Sequence, residues 1–203
     1  KSIWWDNQFL FNASAFQQTR TDALVTTPDP GMVINDIGVN AGEIDSKGLE
    51  LEFVLMPLEG LDINLALGYL DSEYSDYVVF AGTDAEVNYT DKRTPLTFKY
   101  TVSAVVSYSM PITDDIELYT FASYYNAQDS YLDSANLTKQ DEPETVDLRI
   151  GLKSEEWKVS LYVDNAFDNR YVTWETDPQT TAYHRGVFAP GRTYGVQMAY
   201  YFE

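Results

Sequence analysis

The sequence predicts an all-β chain, an antiparallel up-and-down sheet with one apolar and one polar face. Three observations carry this. Apolar residues recur at every second position, and no segment shows a convincing helical period. Short and long connections alternate along the chain. The polar positions hold charged side chains, among them Glu50, Glu52, Asp62, Lys99, Asp147, Arg149, Lys153, Lys158 and Asp164, which a dry core rarely accepts.

Taken in order, Lys1 to Phe16 reads as a hairpin turning at Asp6-Asn7. Leu49, Leu51, Phe53 and Leu55 alternate with Glu50, Glu52 and Val54. After Pro57-Leu58-Glu59-Gly60, Leu61, Ile63, Leu65, Leu67 and Tyr69 alternate with Asp62, Asn64, Ala66 and Gly68. Leu96 to Tyr108 repeats the pattern through Phe98, Tyr100, Val102, Ala104 and Val106. Val146, Leu148, Ile150 and Leu152 form the next run, and Trp157, Val159, Leu161 and Val163 follow the turn Ser154-Glu155-Glu156. Tyr194, Val196, Met198, Tyr200 and Phe202 complete the series. Gly48 and Gly68 are expected to let a strand bend or a backbone approach closely.

The long connections run from about Pro28 to Val39, Val79 to Pro95, Leu132 to Glu144 and Trp174 to Pro190. A membrane barrel sorts its connections this way, with short turns on one side and long loops on the other. The sheet is therefore expected to be a transmembrane β-barrel wall, with its charged face toward a wet or plugged lumen. Trp4, Trp5, Tyr69, Tyr108, Trp157 and Tyr194 fall near strand ends, where interfacial girdles lie. A window of 18 apolar residues is absent, so no transmembrane helix is expected, but a spanning strand needs only about 10 alternating residues.

Composition narrows the function. The chain has 203 residues, 32 acidic against 13 basic, for a formal charge of −19. Such a surface repels phosphate backbones, so nucleic acid is not an expected partner. With no cysteine, disulfides, zinc–thiolate sites and cysteine nucleophiles are excluded. Serines lack a G-x-S-x-G setting, Asp141-Glu142 has nothing to fix it for acid–base work, and no enzyme is expected. His184 is the single histidine and would have only carboxylates as metal partners, and the acidic loops lack ordered calcium-ligand spacing. No metal or cofactor is expected.

Four motifs, in this order and spacing, carry a resemblance. Asn40-Ala41-Gly42 followed by Ser46-Lys47-Gly48-Leu49-Glu50-Leu51-Glu52 resembles a strand of TonB-dependent outer-membrane receptors, and Pro57 to Tyr69 is similar to the strand after it. Val163-Asp164-Asn165-Ala166-Phe167-Asp168-Asn169-Arg170-Tyr171 resembles a segment near the end of that barrel, and Pro190-Gly191-Arg192 its last-strand entry. The resemblance implies the last eight to nine strands of a barrel that closes with about 22 strands around a plugged lumen. Residues 1–203 are then the C-terminal portion of the barrel, with the plug domain and the energy-coupling TonB box outside them. It implies an active-transport receptor in the outer membrane of a Gram-negative bacterium. Such a receptor takes up a scarce ligand, a ferric siderophore by class, energised through TonB. Outer-membrane lipid and the barrel-assembly machinery are the further partners. Phe202 resembles the terminal aromatic that machinery reads, though here Glu203 follows it. A small self-closed barrel, a passive pore and a soluble carbohydrate-binding sandwich are the alternatives.

Ligand capture is expected in the long loops. The candidates are Tyr89 in the Val79–Pro95 loop and Trp174, Tyr183, His184 and Arg185 in the last, where rings beside cationic groups suit a mixed polar ligand. Asn165, Phe167 and Asp168 are expected to shape a strand exit, and Arg192 to pair with lumen carboxylates.

Overall fold

The computed structural model describes residues 2–6, 8–28, 36–40, 42–175 and 185–202. All regular structure among them is β. In chain order the strands are β1 (Ser2–Trp4), β2 (Phe9–Thr21), β3 (Leu24–Pro28), β4 (Asp36–Asn40), β5 (Glu43–Leu58), β6 (Leu61–Asp76), β7 (Val78–Val79), β8 (Val87–Asn88), β9 (Tyr100–Pro111), β10 (Glu117–Gln128), β11 (Glu144–Lys153), β12 (Trp157–Asp164), β13 (Val172–Glu175), β14 (Gly186–Phe188) and β15 (Thr193–Tyr200). Nine form one antiparallel sheet in the order β1-β2-β5-β6-β9-β10-β11-β12-β15, so the chain meanders without a crossover. The pairs β3–β4, β7–β8 and β13–β14 are small hairpins within the long connections.

Register shows how the two faces arise. Phe53 sits opposite both Phe11 and Leu65, and Leu65 opposite Ala104, while Glu52 sits opposite Asn12 and Ala66. Ile150 faces Leu161, which faces Val196, while Gly151 faces Ser160, which faces Gln197. Because alternation has period two, one apolar face runs across the whole sheet. Among the described residues nothing packs on it: every pair of elements in substantial contact is a hydrogen-bonded pair. Leu161 is 59% exposed and Val196 57%, which rules out a two-layer sandwich burying this face. The cluster of buried apolar residues lies elsewhere, at the long-loop end, where Ala23, Tyr74, Tyr77 and Val79 meet.

Strand lengths explain that cluster. β5 and β6 run 16 residues each, and a bilayer-spanning strand needs only about 9–11. Their excess rises beyond the apolar zone, past Tyr69 and Tyr100, whose ring centroids are 5.6 Å apart. Just beyond, Asp71 accepts ion pairs from Lys47 at 3.3 Å and Lys99 at 3.8 Å. At the short-turn end, Trp4 and Trp5 are exposed beside Phe9, as an interfacial belt requires.

Three features depart from the sequence reading. β10 escapes simple alternation because Tyr119, Phe121 and Tyr125 sit on the polar face, opposite Ser109, Ser107 and Ser103, so both faces look apolar in sequence. Leu96 and Phe98 precede β9, and Tyr201 and Phe202 follow β15. The close approach at Gly48 is by a side chain as well as by backbone, since a Cβ there would meet Phe16 Cζ at 2.5 Å and Tyr69 O at 2.7 Å. A ring laid over a facing glycine rescues a weak strand position.

Two outcomes are expected. Leu65 lies four residues from the turn, about 13 Å along its strand, so Leu65→Arg should cost about 2–4 kcal/mol near the midplane. Denaturant titration in lipid vesicles measures it, and a change under about 0.5 kcal/mol contradicts a lipid-facing side chain. Gly48→Ala must displace the Phe16 ring and should cost about 1–3 kcal/mol in the same titration.

Candidate functional site

The candidate site is the loop assembly at the end of the sheet opposite the short turns. Its foundation is the aromatic cluster. Tyr74 on β6 stacks on Tyr77 at 4.6 Å, and Tyr77 on Tyr89 at 5.0 Å. Tyr74 and Tyr77 are almost fully buried, and Tyr89 packs partly buried against them. Burying three rings at a loop base supplies apolar area that the single-layer sheet cannot.

Arg93 joins this loop to the next. Its Nη1 donates to Asp129 O at 2.6 Å and pairs with Asp129 Oδ2 at 3.1 Å. Its backbone N–H donates to Asn136 Oδ1 at 2.7 Å, and Asn136 Nδ2 donates back to Arg93 O at 2.9 Å. Asn136 thus reads a peptide unit as a second strand would. Asp133, 4% exposed, accepts from Leu137 N at 3.1 Å and Thr138 N at 2.6 Å, which closes the turn that presents Asn136. Tyr74 Oη and Ser134 Oγ make a further link at 3.4 Å. The segments 77–99 and 129–143 therefore form one braced platform.

The last loop attaches to that platform at Asp141 and to β11 at Asp147. Val172 N donates to Asp141 Oδ2 at 2.9 Å. Asn165 N donates to Asp147 Oδ1 at 2.8 Å, and the Asn165 side chain holds Asn169 N, Asn169 O and Pro190 O. Asn165 and Asp168 both take positive φ, at 52° and 54°, which short polar side chains tolerate. Asp168 accepts from Arg192 N at 2.8 Å; that bond, with Arg170 and Arg192 nearby, holds its carboxyl below the ordinary carboxylate range despite some desolvation. The Arg192 guanidinium was expected to meet a carboxylate; it instead donates to Ala166 O at 3.3 Å.

Among the predicted site residues, Trp174 lies on the exposed hairpin β13–β14, facing Val187, and Arg185 immediately precedes β14. Tyr89 belongs to the aromatic cluster, its ring engaged by Tyr77. Tyr183 and His184 lie outside the described residues. Tyr74 and Tyr77 fall between the Leu61–Tyr69 run and the Val79–Pro95 loop and the sequence pattern singles out neither, while Arg93, Asp133 and Asn136 stand among the long-loop residues. The Asp133-x-x-Asn136 spacing, typical of Asx turns, was the available signal. At the other end, Phe202 is 88% exposed, with its ring 4.9 Å from Tyr200.

This geometry of a one-layer amphipathic sheet with braced loops at one end has known counterparts. A family model described as TonB dependent receptor-like, beta-barrel matches residues 1–166. The chain belongs to the TonB-dependent receptor β-barrel family. Among solved structures, the ferric yersiniabactin uptake receptor FyuA from Yersinia pestis is similar at 23% identity and TM-score 0.76, over 94% of this chain and 27% of that one. The siderophore receptor PiuA from Acinetobacter baumannii is similar at 21% identity and TM-score 0.70, over 96% and 26%. The copper transporter OprC is similar at 16% identity and TM-score 0.68, over 97% and 29%. The chain thus spans little more than a quarter of these structures' lengths. Family members are outer-membrane receptors, so the apolar face of this wall is its lipid face and the polar face its lumen face.

Asp133→Ala should leave the Leu137 and Thr138 amides unpartnered, at about 1–3 kcal/mol locally. Hydrogen exchange of those two amides should accelerate at least about tenfold while the strand amides stay protected; unchanged exchange contradicts the brace. Asp168 has a folded pKa below its unfolded value, so its contact contributes fully above about pH 4 and is lost as pH falls through the depressed value. Exchange at the Arg192 amide should lose protection only in acid, and Asp168→Asn should abolish that dependence.

Proposed function

We propose that this chain is the C-terminal portion of the barrel of an outer-membrane active-transport receptor, with its plug domain outside residues 1–203. The ligand is a scarce small molecule, a ferric siderophore by class, and uptake is energised through TonB. The observation that carries this reading is the braced loop platform on a TonB-dependent receptor wall. Such a platform can hold a ligand at the outer surface without losing order at the sheet.

The architecture supports a division of labour. The Arg93–Asn136–Asp133 brace keeps two loops fixed, and the β13–β14 hairpin, joined through Asp141 and Asn165, presents Trp174 and Arg185 at the surface. An indole and a guanidinium suit an anionic, ring-bearing chelate through stacking and charge. Tyr183 and His184 are further ligand-contact candidates in this reading, and Tyr89 acts by holding the platform. Siderophore uptake is favoured over copper because four of the structural relatives are siderophore or ferric-chelate receptors and one is a copper transporter. In this reading Phe202, exposed beyond β15, is the aromatic read by the barrel-assembly machinery.

The test is uptake by the full-length protein in an outer membrane, with radiolabelled iron carried by a panel of siderophores. At least one chelate should accumulate, and accumulation should stop when the inner-membrane proton gradient is collapsed. Accumulation indifferent to the gradient would identify a passive pore. Deleting Trp174 to Arg185 should reduce uptake at least about tenfold, the equivalent of 1.4 kcal/mol of capture energy, with the barrel still heat-modifiable on gels. Unchanged uptake removes that loop from the site.

A further inference from the structure

β10 is built inside out. Its lumen face carries Tyr119, Phe121 and Tyr125, while its lipid face carries the small Thr120 and Ala122, opposite Tyr108 and Val106 on β9 and Ile150 and Leu148 on β11. Burial in hydrocarbon would reward the rings on the other face. The fold therefore does not account for their placement. Their neighbours keep them clear: the facing lumen residues of β9 are Ser109, Ser107 and Ser103. Phe121 and Tyr125 stay exposed in mid-sheet. The three rings stand in file along one strand, about 7 Å from Tyr119 to Phe121 and about 13 Å on to Tyr125. Near Tyr125 stands Tyr171, whose carbonyl accepts from Ala189 N at 2.9 Å at the base of the β13–β14 hairpin. The file thus runs from the base of the hairpin that presents Trp174 toward the short-turn end.

At mid-strand the file meets charge. Arg149 faces Phe121 on one side and Tyr162 on the other, in register. Its Cζ is 5.8 Å from the Tyr162 centroid, and that ring lies over Gly195, where a Cβ would meet ring carbons at 3.0 Å. Two residues nearer the short turns, Tyr119 lies over Gly151, where a Cβ would meet its Cε1 at 2.8 Å, and Lys158 Nζ is 4.3 Å from its centroid. Neither cation has a carboxylate among the described residues, though acids outnumber bases 32 to 13 in the chain. The acids of the same cleft are engaged: Asp147 accepts from Ser123 Oγ and Asn165 N, and Asp164 from Thr193 Oγ1. Arg149 Nε is buried without a hydrogen-bond partner, a desolvated donor left uncompensated. Ring, cation and ring in one row repeat the chemistry that Trp174 and Arg185 offer at the surface.

We propose that Phe121, Arg149 and Tyr162 form a second binding station, inside the barrel, for a ring-bearing anionic chelate, with Tyr125 leading to it and Lys158 beyond it. A flat anionic ring gains stacking from Phe121 and Tyr162 and a charge-assisted hydrogen bond from Arg149 Nε. Rings in file let such a solute make the next contact as it leaves the last, so that no single contact holds it too tightly for release. The hairpin serves capture and the lumen station serves passage. The inference rests on the uptake reading for the class of ligand and adds where that ligand goes once it leaves the loops.

The test is photo-crosslinking in cells that carry the full-length receptor, with a benzophenone amino acid replacing Trp174, Phe121 or Ala122 in turn. The probes are ferric catecholate and ferric phenolate chelates radiolabelled in the ring. The Trp174 position reports capture, the Phe121 position the station, and the Ala122 position, on the lipid face, the background. Label should join the receptor at the Trp174 position and, while the inner-membrane proton gradient stands, at the Phe121 position, but not at the Ala122 position. Arg149→Gln should lower labelling at the Phe121 position at least about tenfold with labelling at the Trp174 position unchanged, and Arg149→Lys should restore part of it. Label at the Trp174 position with only background at the Phe121 position overturns the station and leaves capture intact. Label at the Phe121 position with none at the Trp174 position overturns the capture reading instead, and absence at both overturns both. Labelling at the Phe121 position indifferent to Arg149→Gln, or crosslinks from it to protein alone, also overturns the station.

Discussion

Hydrocarbon offers a peptide group no hydrogen-bond partner, and each one left unsatisfied there costs several kcal/mol. That constraint explains why this chain is a meander of neighbouring antiparallel strands and little else. Each strand finds its partners in the next, with the short turns adding almost nothing between them. The same constraint acts at the rims of the sheet. β15 and the upper part of β2 present backbone groups with no partner among the described residues, and a barrel meets that demand by closing. Stability of this wall is therefore a property of the closed cylinder, not of the nine strands alone.

Side-chain order follows from the backbone order. Period two sends Leu65, Leu161 and Val196 to one face and Asn64, Ser160 and Gln197 to the other. A sheet with no second layer has no core of its own to fill, so apolar packing concentrates where loops fold back, at Tyr74, Tyr77 and Val79. The lumen face solves a different problem. It must stay polar yet ordered, and it does so with short hydroxyls, with rings laid on Gly48, Gly151 and Gly195, and with cations laid on two of those rings.

Strand identity was legible where the two faces differ strongly, as in β5, β6, β11 and β12, because alternation is read directly from Leu against Glu or Ile against Arg. It was least legible in β10, where lumen rings blur the contrast, and at the ends of β9 and β15, where pairing rather than polarity decides the boundary. Loop lengths marked the end of the sheet that carries the small hairpins and the aromatic cluster. Bracing between the loops was not legible, since Arg93 and Asn136 stand 43 residues apart and the local Asp133-x-x-Asn136 spacing signals only the turn. The ring-on-glycine joint at Gly48 was half visible: the glycine stood out as a close approach, which the Tyr69 carbonyl makes, but the Phe16 ring beside it comes from a strand known only from register.

The claim on which everything else rests is that the apolar face meets lipid and the polar face does not. Spin labels placed singly at Leu65, Leu161 and Val196, and at Asn64, Ser160 and Gln197, in the full-length receptor in bilayers test it directly. Collision with oxygen, which concentrates in hydrocarbon, should be high for the first set and low for the second, alternating residue by residue. Equal oxygen access on both faces, or preferential access of a water-soluble nickel chelate to Leu65, Leu161 and Val196, would contradict the account.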